Sequence, residues 1–229
     1  KQLYPKADIT IAGFETTDRR DFYDLAIGNV PFGQYQVNDR AYNKLGFSIH
    51  DYFFAKALDQ VRPGGVVAFV TSRYTMDKQS PEVRKYIAQR AELLGAIRLP
   101  NNAFKANAGT EVVSDIIFLQ KRERPMTIEP NWVHLGENAD GFAINQYFID
   151  HPEMVLGEQT SESTQYGPGY TVSPTAGATL ADELRDAVQR ISGTYVAAAL
   201  PELAEGEEIR EAIPADPNVR NFSYTIVDG

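Results

Sequence analysis

The stretch Asp24-Leu25-Ala26-Ile27-Gly28-Asn29-Val30-Pro31-Phe32-Gly33 ends an apolar run in a side-chain amide, followed by a proline and an aromatic ring. Ligands of open α/β sheets bind where strands end at their carboxyl edge, so this turn sits where chemistry is expected. The bland alternative is a strand-to-loop turn with a packed phenylalanine. A second stretch, Asn101-Asn102-Ala103-Phe104-Lys105-Ala106-Asn107-Ala108-Gly109, carries Phe104 and Lys105 in a polar, loop-like setting that favours exposure. The alternative there is Phe104 as a core residue. The chain has no cysteine, which excludes disulfides, thiolate zinc sites and a cysteine nucleophile. His50, His134 and His151 are widely spaced without a metal-ligand pattern, and each reads as a surface or hydrogen-bonded histidine.

These residues need a frame. Asp8–Phe14 reads as a short strand entering a loop, and Phe22–Gly28 as a buried strand running into the Asn29 turn. Ser48 is placed to cap a helix whose apolar positions are Ile49, Phe53, Ala57 and Val61, and Arg62-Pro63-Gly64-Gly65 is expected to end it. Val66–Val70 is a continuous apolar run, typical of a strand covered on both faces. Ser80-Pro81-Glu82 starts a helix expected to run to about Leu94. Ala96–Leu99 and Val112–Leu119 give two further strands. This alternation predicts an α/β layered sheet.

From Pro125 the character changes, which suggests one unit over 1–125 and an extension over 126–229. Within the extension, Trp132–Leu135 reads as a short strand and Ser161–Gly177 as a Ser/Thr/Gly/Pro-rich linker, about 158–178 overall. A helix over about 179–199 presents the stripe Leu180, Leu184, Val188, Ile191 and Tyr195, read as a docking or core face. Pro201–Asn218 is acidic and expected to be flexible, and Phe222–Val227 looks like a strand.

The chain has 229 residues, 43% of them hydrophobic, enough for a substantial core. No apolar run approaches the roughly 20 residues that span a bilayer, so no membrane partner is expected and a cytoplasmic setting fits. The start Lys1-Gln2-Leu3-Tyr4-Pro5 has no signal region and no initiating Met, and reads as a cut from something longer. A net charge of −9 argues against a stand-alone nucleic-acid binder. Basic residues nevertheless gather in one stretch: Arg73, Lys78, Arg84, Lys85, Arg90, Arg98, Lys105, Lys121, Arg122 and Arg124. They either solvate helix faces or make part of a DNA-facing surface.

Over residues 8–124 the chain resembles the amino-methyltransferases whose signature is Asn-Pro-Pro-Tyr/Phe. Asn29-Val30-Pro31-Phe32 matches the signature, with Val30 in place of the first proline. Arg62–Thr71 resembles the next strand and its lead-in, and Leu99–Phe104 with Val113–Lys121 the segment carrying a second base-contacting aromatic. The pattern looks closest to large mobile-element proteins in which a methylase domain precedes a helicase-like region. The resemblance implies a partial Rossmann-like methyltransferase sheet with helices on both faces, plus a C-terminal irregular and helical extension.

It further implies S-adenosylmethionine as cofactor and DNA as partner, with transfer of a methyl group to an exocyclic amine, adenine N6 for preference. Asn29 and the Val30 carbonyl would accept the amine's N–H groups, beside Pro31. Phe32, Phe104 and Lys105 would engage a flipped base, and Phe14, Glu15 and Asn29 would touch the cofactor. The family's glycine-rich cofactor loop and ribose-binding acid are not found in this sequence, so the isolated chain is expected to bind the cofactor poorly and to be inactive. The resemblance also implies an exposed sheet edge beside Leu25–Ile27, expected to re-pair with the first strand or to form a homodimer. Cytosine-N4, protein-glutamine and RNA-guanine methylation stay open, as does a non-catalytic DNA-engaging or scaffold module.

Overall fold

Two apolar runs, around Ile27 and Val67, pair in parallel and seed a four-stranded sheet. A computed structural model describes residues 6–33, 35–109, 111–164 and 167–198. In chain order the elements are β1 (Tyr23–Asn29), α1 (Ile49–Gln60), β2 (Val61–Ser72), α2 (Tyr74–Asp77), α3 (Glu82–Arg90), β3 (Ala91–Leu99), α4 (Lys105–Ala108) and β4 (Ser114–Lys121). They continue with β5 (Leu135–Glu137), β6 (Ala143–Asn145), α5 (Gln146–Asp150), β7 (Glu158–Thr164), β8 (Gly167–Ser173) and α6 (Leu180–Val188). The main sheet has the order β1-β2-β4-β3, with β4 antiparallel to both of its neighbours. Strands β1, β2 and β3 therefore point the same way. Their carboxyl ends, with the start of β4, share one edge of the sheet.

The expected α/β class holds, with both faces of the sheet covered beyond the exposed strand β1. Helix α1 starts where Asp51 accepts hydrogen bonds from the Ser48 hydroxyl at 2.7 Å and the Ser48 amide at 3.3 Å. It covers the Val67/Phe69 face, where the Phe54 and Phe69 rings lie 5.2 Å apart. On the other face Leu94, Val66 and Phe118 meet Ile191, Gly193 and Thr194, the segment that follows α6. One buried cluster joins Leu58, Val67 and Ile97 to Ile144, Phe148, Tyr170 and Val172, so residues far down the chain close the same core.

Several elements differ from their sequence expectation, each for a tertiary reason. Asp8–Phe14 forms no strand: Ile11 is 99% exposed, and Phe14 turns into a 3-10 segment, Phe14–Thr16, with its ring stacked on Phe53 at 4.8 Å. A strand needs a ladder partner, and among the described residues the outer side of β1 has none. Strand β1, expected to be buried, is an exposed edge, with Leu25 at 53% and Ile27 at 76% exposure. Arg62–Gly65 does not separate helix from strand but opens β2, because Gly65 lets the strand pass close to the carbonyls of Tyr23 and Asp24.

Helix α3 ends at Arg90 rather than Leu94, since Ala91, Glu92 and Leu93 pair with Lys121, Gln120 and Leu119 of β4. Its cap position is taken by Pro81, not Ser80. Residues 131–133 form a 3-10 turn, and only Leu135 of the expected strand joins β5. Where a linker was expected, β7 and β8 pair as a hairpin, whose Tyr170, Thr171 and Val172 are buried. Helix α6 ends at Val188; Leu180, Leu184 and Ile191 pack against the core, while Val188 and Tyr195 are 47% and 85% exposed. Pro201–Asn218 and Phe222–Val227 lie outside the described residues.

Candidate functional site at the carboxyl edge of the sheet

Asn29 is the last residue of β1 and pairs in register with Val70 of β2. The next residue, Val30, is buried, and its amide donates to the Val70 carbonyl at 2.9 Å. Backbone and side chain of Val30 thus anchor the turn, while Asn29 and Pro31 on either side are exposed. Among the described residues the Asn29 side-chain amide has no hydrogen-bond partner. A free amide at the carboxyl end of a strand can offer one acceptor and two donors to a ligand. Phe32 is 41% exposed, its ring centroid 5.9 Å from that of His50 in the first turn of α1. Burial holds the His50 imidazole below the ordinary histidine value; Asp51 opposes this and Lys78 adds to it.

Phe14 and Asn29 share an open groove of about 430 Å³ along β1, walled by Tyr23, Leu25, Ile27, Phe53 and Phe69. Glu15 is exposed, with its carboxylate folded back over Gly13, a position where a side chain would collide with it. The two candidate cofactor contacts are held by Lys56. Its buried ammonium donates to the Glu15 carbonyl at 3.0 Å and to Asp39 at 2.7 Å, with the rings of Phe14, Tyr42 and Tyr52 about it at 5.6, 5.9 and 5.8 Å. Burial alone would raise the Asp39 carboxyl; hydrogen bonds from Lys56, Tyr52 and the Ala41 amide reverse this and hold it below its usual value. One cation therefore ties Phe14–Thr16, the loop after Phe32 and α1 together.

Phe104 belongs to the loop after β3 and Lys105 opens α4. Phe104 is half-buried and packed against the core, less open than its polar neighbours suggested. It lies at the same edge as Phe32, but β3 is three strand spacings from β1, about 14 Å. No ring contact joins the two aromatics among the described residues. Lys105 is exposed and paired with Glu111.

Seven of the ten residues of the basic stretch are paired or buried. Arg73, Lys78, Lys85, Lys105 and Lys121 each pair with a carboxylate, and Arg84 and Arg98 are buried. Arg98 carries what the sequence reading missed. Its guanidinium meets Asp115 at 2.8 and 2.9 Å and Asp77 at 2.9 Å, all three side chains almost fully out of solvent. The Asn145 amide also donates to Asp77 at 2.9 Å, and Arg73 reaches it at 3.1 Å. The network ties α2 to the end of β3 and the start of β4. Its sequence signal is the single charge in each of two expected apolar strands, Arg98 in Ala96–Leu99 and Asp115 in Val112–Leu119.

Among the described residues no helix is long and apolar enough to cross a membrane, and no group of three or more acidic or histidine side chains is placed to hold a metal.

No protein-family model matches the chain. A curated relative, "Defense against restriction protein B" of Escherichia phage P1, is 32% identical over 139 residues, which is 58% of this chain and 6% of that protein. The chain thus spans about 6% of the length of the relative it matches. Similar solved structures include a putative class I S-adenosylmethionine-dependent methyltransferase from Listeria monocytogenes, with TM-score 0.38, 23% identity, and coverage of 51% of this chain and 36% of that one. The M protein of the type I restriction enzyme EcoKI has TM-score 0.39, 18% identity, and coverage of 45% and 23%. A modification subunit of a putative type I restriction enzyme from Vibrio vulnificus has TM-score 0.38, 14% identity, and coverage of 55% and 37%.

Proposed function

We propose that this chain is part of a DNA amino-methyltransferase that uses S-adenosylmethionine and acts on adenine N6. The observation that carries the reading is the exposed Asn29 amide, without a hydrogen-bond partner among the described residues, at the carboxyl end of β1, followed by an anchored Val30, Pro31 and a half-exposed Phe32. The name of the phage relative supports a setting of defence against restriction, to which base methylation is one chemical route.

The groove beside Asn29 suits a small cofactor in size, since such sites run from about 300 to 1,000 Å³. Its aromatic wall suits the flat adenine part of S-adenosylmethionine, with Phe14 and Asn29 on the groove; Glu15, the neighbour of Phe14 in the chain, is the residue proposed for the hydroxyl-bearing ribose. When bound, that cofactor supplies an electrophilic methyl group on a sulfonium. An adenine amine is a poor nucleophile, because its lone pair is delocalised into the ring. The Asn29 side-chain oxygen accepts one of its N–H groups and the Val30 carbonyl the other, which localises the lone pair on nitrogen. Pro31 keeps Val30 extended for that purpose. Phe32 stacks on the extruded base, with Phe104 and Lys105 contacting it or its strand from the loop after β3. DNA is the partner, and a helicase-like region in the same full-length polypeptide belongs to this reading.

The isolated chain is inactive on this reading, for want of a glycine-rich cofactor loop. Calorimetric titration with S-adenosylmethionine, of this chain and of a version extended at its N-terminus, tests it. Binding by the extended form, with transfer of labelled methyl to an adenine oligonucleotide, is the expected result. Asn29→Ala in that form should lower transfer about 100-fold, the scale of losing one pre-positioned hydrogen-bonding group aimed at developing charge, with no change in melting temperature. Failure of both forms to bind the cofactor would overturn the reading.

The exposed β1 edge belongs to the same proposal as a homodimer contact. Antiparallel pairing of β1 with its copy is self-complementary about a two-fold axis.

A further inference from the structure

We infer that Tyr74 is a further base-stacking residue at this edge, an inference that rests on the reading of the Asn29 site given above. Strand β2 is the immediate neighbour of Asn29, through the Asn29–Val70 pairing and the Val30 amide bond to Val70. It ends at Ser72, and Tyr74 opens α2 two residues later, 60% exposed as a residue. Single exposed apolar or aromatic side chains are ordinary. Tyr74 differs in being mounted.

The Arg73 guanidinium lies 4.5 Å from the centroid of the Tyr74 ring, and its Nη2 donates to the Tyr74 hydroxyl at 3.2 Å. Its Nη1 holds Asp77 at 3.1 Å, and Asp77 in turn is held at 2.9 Å by the fully buried Arg98. One face of the tyrosine is thus backed by a cation whose position is set from the core. No other ring or cation is placed against Tyr74 among the described residues. A fixed, flat ring with an open face fits an unstacked nucleobase, because every base presents a π-face and stacking asks for no particular hydrogen-bond pattern.

The sheet order strengthens the assignment. Phe104 arises from β3, two strands beyond β2, and is half-buried. Tyr74 arises between the two aromatics the sequence singled out, one strand from Asn29 and much more open. It therefore extends the stacking surface from Phe32 toward the loop after β3.

The test is binding of a mixed-sequence single-stranded oligodeoxynucleotide carrying 2-aminopurine, at fixed salt, read by anisotropy and by quenching of the probe on stacking. Tyr74→Ala is expected to weaken binding about tenfold and to restore probe emission, whereas Tyr74→Phe retains both. If Tyr74→Ala binds and quenches like the wild type while Phe32→Ala does not, the inference about Tyr74 is overturned and the Asn29 site stands. If Tyr74→Ala and Tyr74→Phe weaken binding equally and both lower the melting temperature, Tyr74 is structural and the inference fails. If the wild type neither binds nor quenches, both this inference and the base-binding reading beneath it fall.

Discussion

Arg98 shows how far a single charge can set the geometry of this edge. With both carboxylates of its network buried, removing the cation leaves uncompensated negative charge in the core. Arg98→Met is expected to cost about 3–5 kcal/mol in urea unfolding. Replacing Asp115 by valine in the same variant should recover part of that loss. A single variant as stable as the wild type would show that the network is not holding α2. His50 makes a second prediction at this scale. Its folded value lies below the ordinary 6.5, so the unfolded chain takes up a proton first as pH falls. The stability His50 contributes is complete above 6.5 and is lost as pH falls through the folded value. His50→Gln should flatten the pH profile of the urea midpoint between about pH 7 and 5; parallel profiles would remove His50 as the cause. The Asn29 turn was legible at this scale, because amide, proline and aromatic are contiguous in the chain. The Arg98 pair was not, because Arg98 and Asp115 become neighbours only through the β3–β4 register.

At the scale of elements, the pairing of β1 with β2 depends on Gly65. A side chain there would place its Cβ 2.8 Å from the Arg62 carbonyl oxygen and 3.0 and 3.1 Å from those of Asp24 and Tyr23. These are backbone atoms and cannot swing aside. Gly65→Ala is expected to destabilise by about 1–3 kcal/mol and to speed amide exchange through Leu25–Asn29 before the rest of the sheet. Uniform exchange with unchanged stability would sink the idea. The helix α1 was readable from Ser48 and Asp51, since a capping box is a local device. The end of α3 was not. Its last expected turn, from Ala91 to Leu93, is drawn into β3 by ladder bonds to β4, whose partners are almost thirty residues away.

For the whole molecule the open edge is the dominant feature. Tyr23, Leu25 and Ile27 expose large side chains on a strand whose outer backbone groups lack a ladder partner among the described residues. Light scattering should show a concentration-dependent dimer, and Leu25→Lys with Ile27→Lys should hold the chain as a monomer. A wild-type monomer across the concentration range would count against the homodimer. The rest of the sheet is closed by segments from the later part of the described chain, with Phe148, Val172 and Ile191 packing with Val67 and Ile97 or against them.

The sequence by itself determined the α/β class, the two central apolar strands, the cap of α1 and the amide-proline-aromatic turn. Each is written in contiguous residues, through periodicity, capping groups or short spacing. Only the tertiary structure decided that Asp8–Phe14 is no strand, that β7 and β8 pair as a hairpin, and that Arg98 lies inside the protein. Those outcomes depend on which segments meet. A strand exists only if a partner supplies its hydrogen bonds, a Ser/Thr-rich stretch orders once one face of it is buried, and a charge enters the core only where opposite charge waits for it.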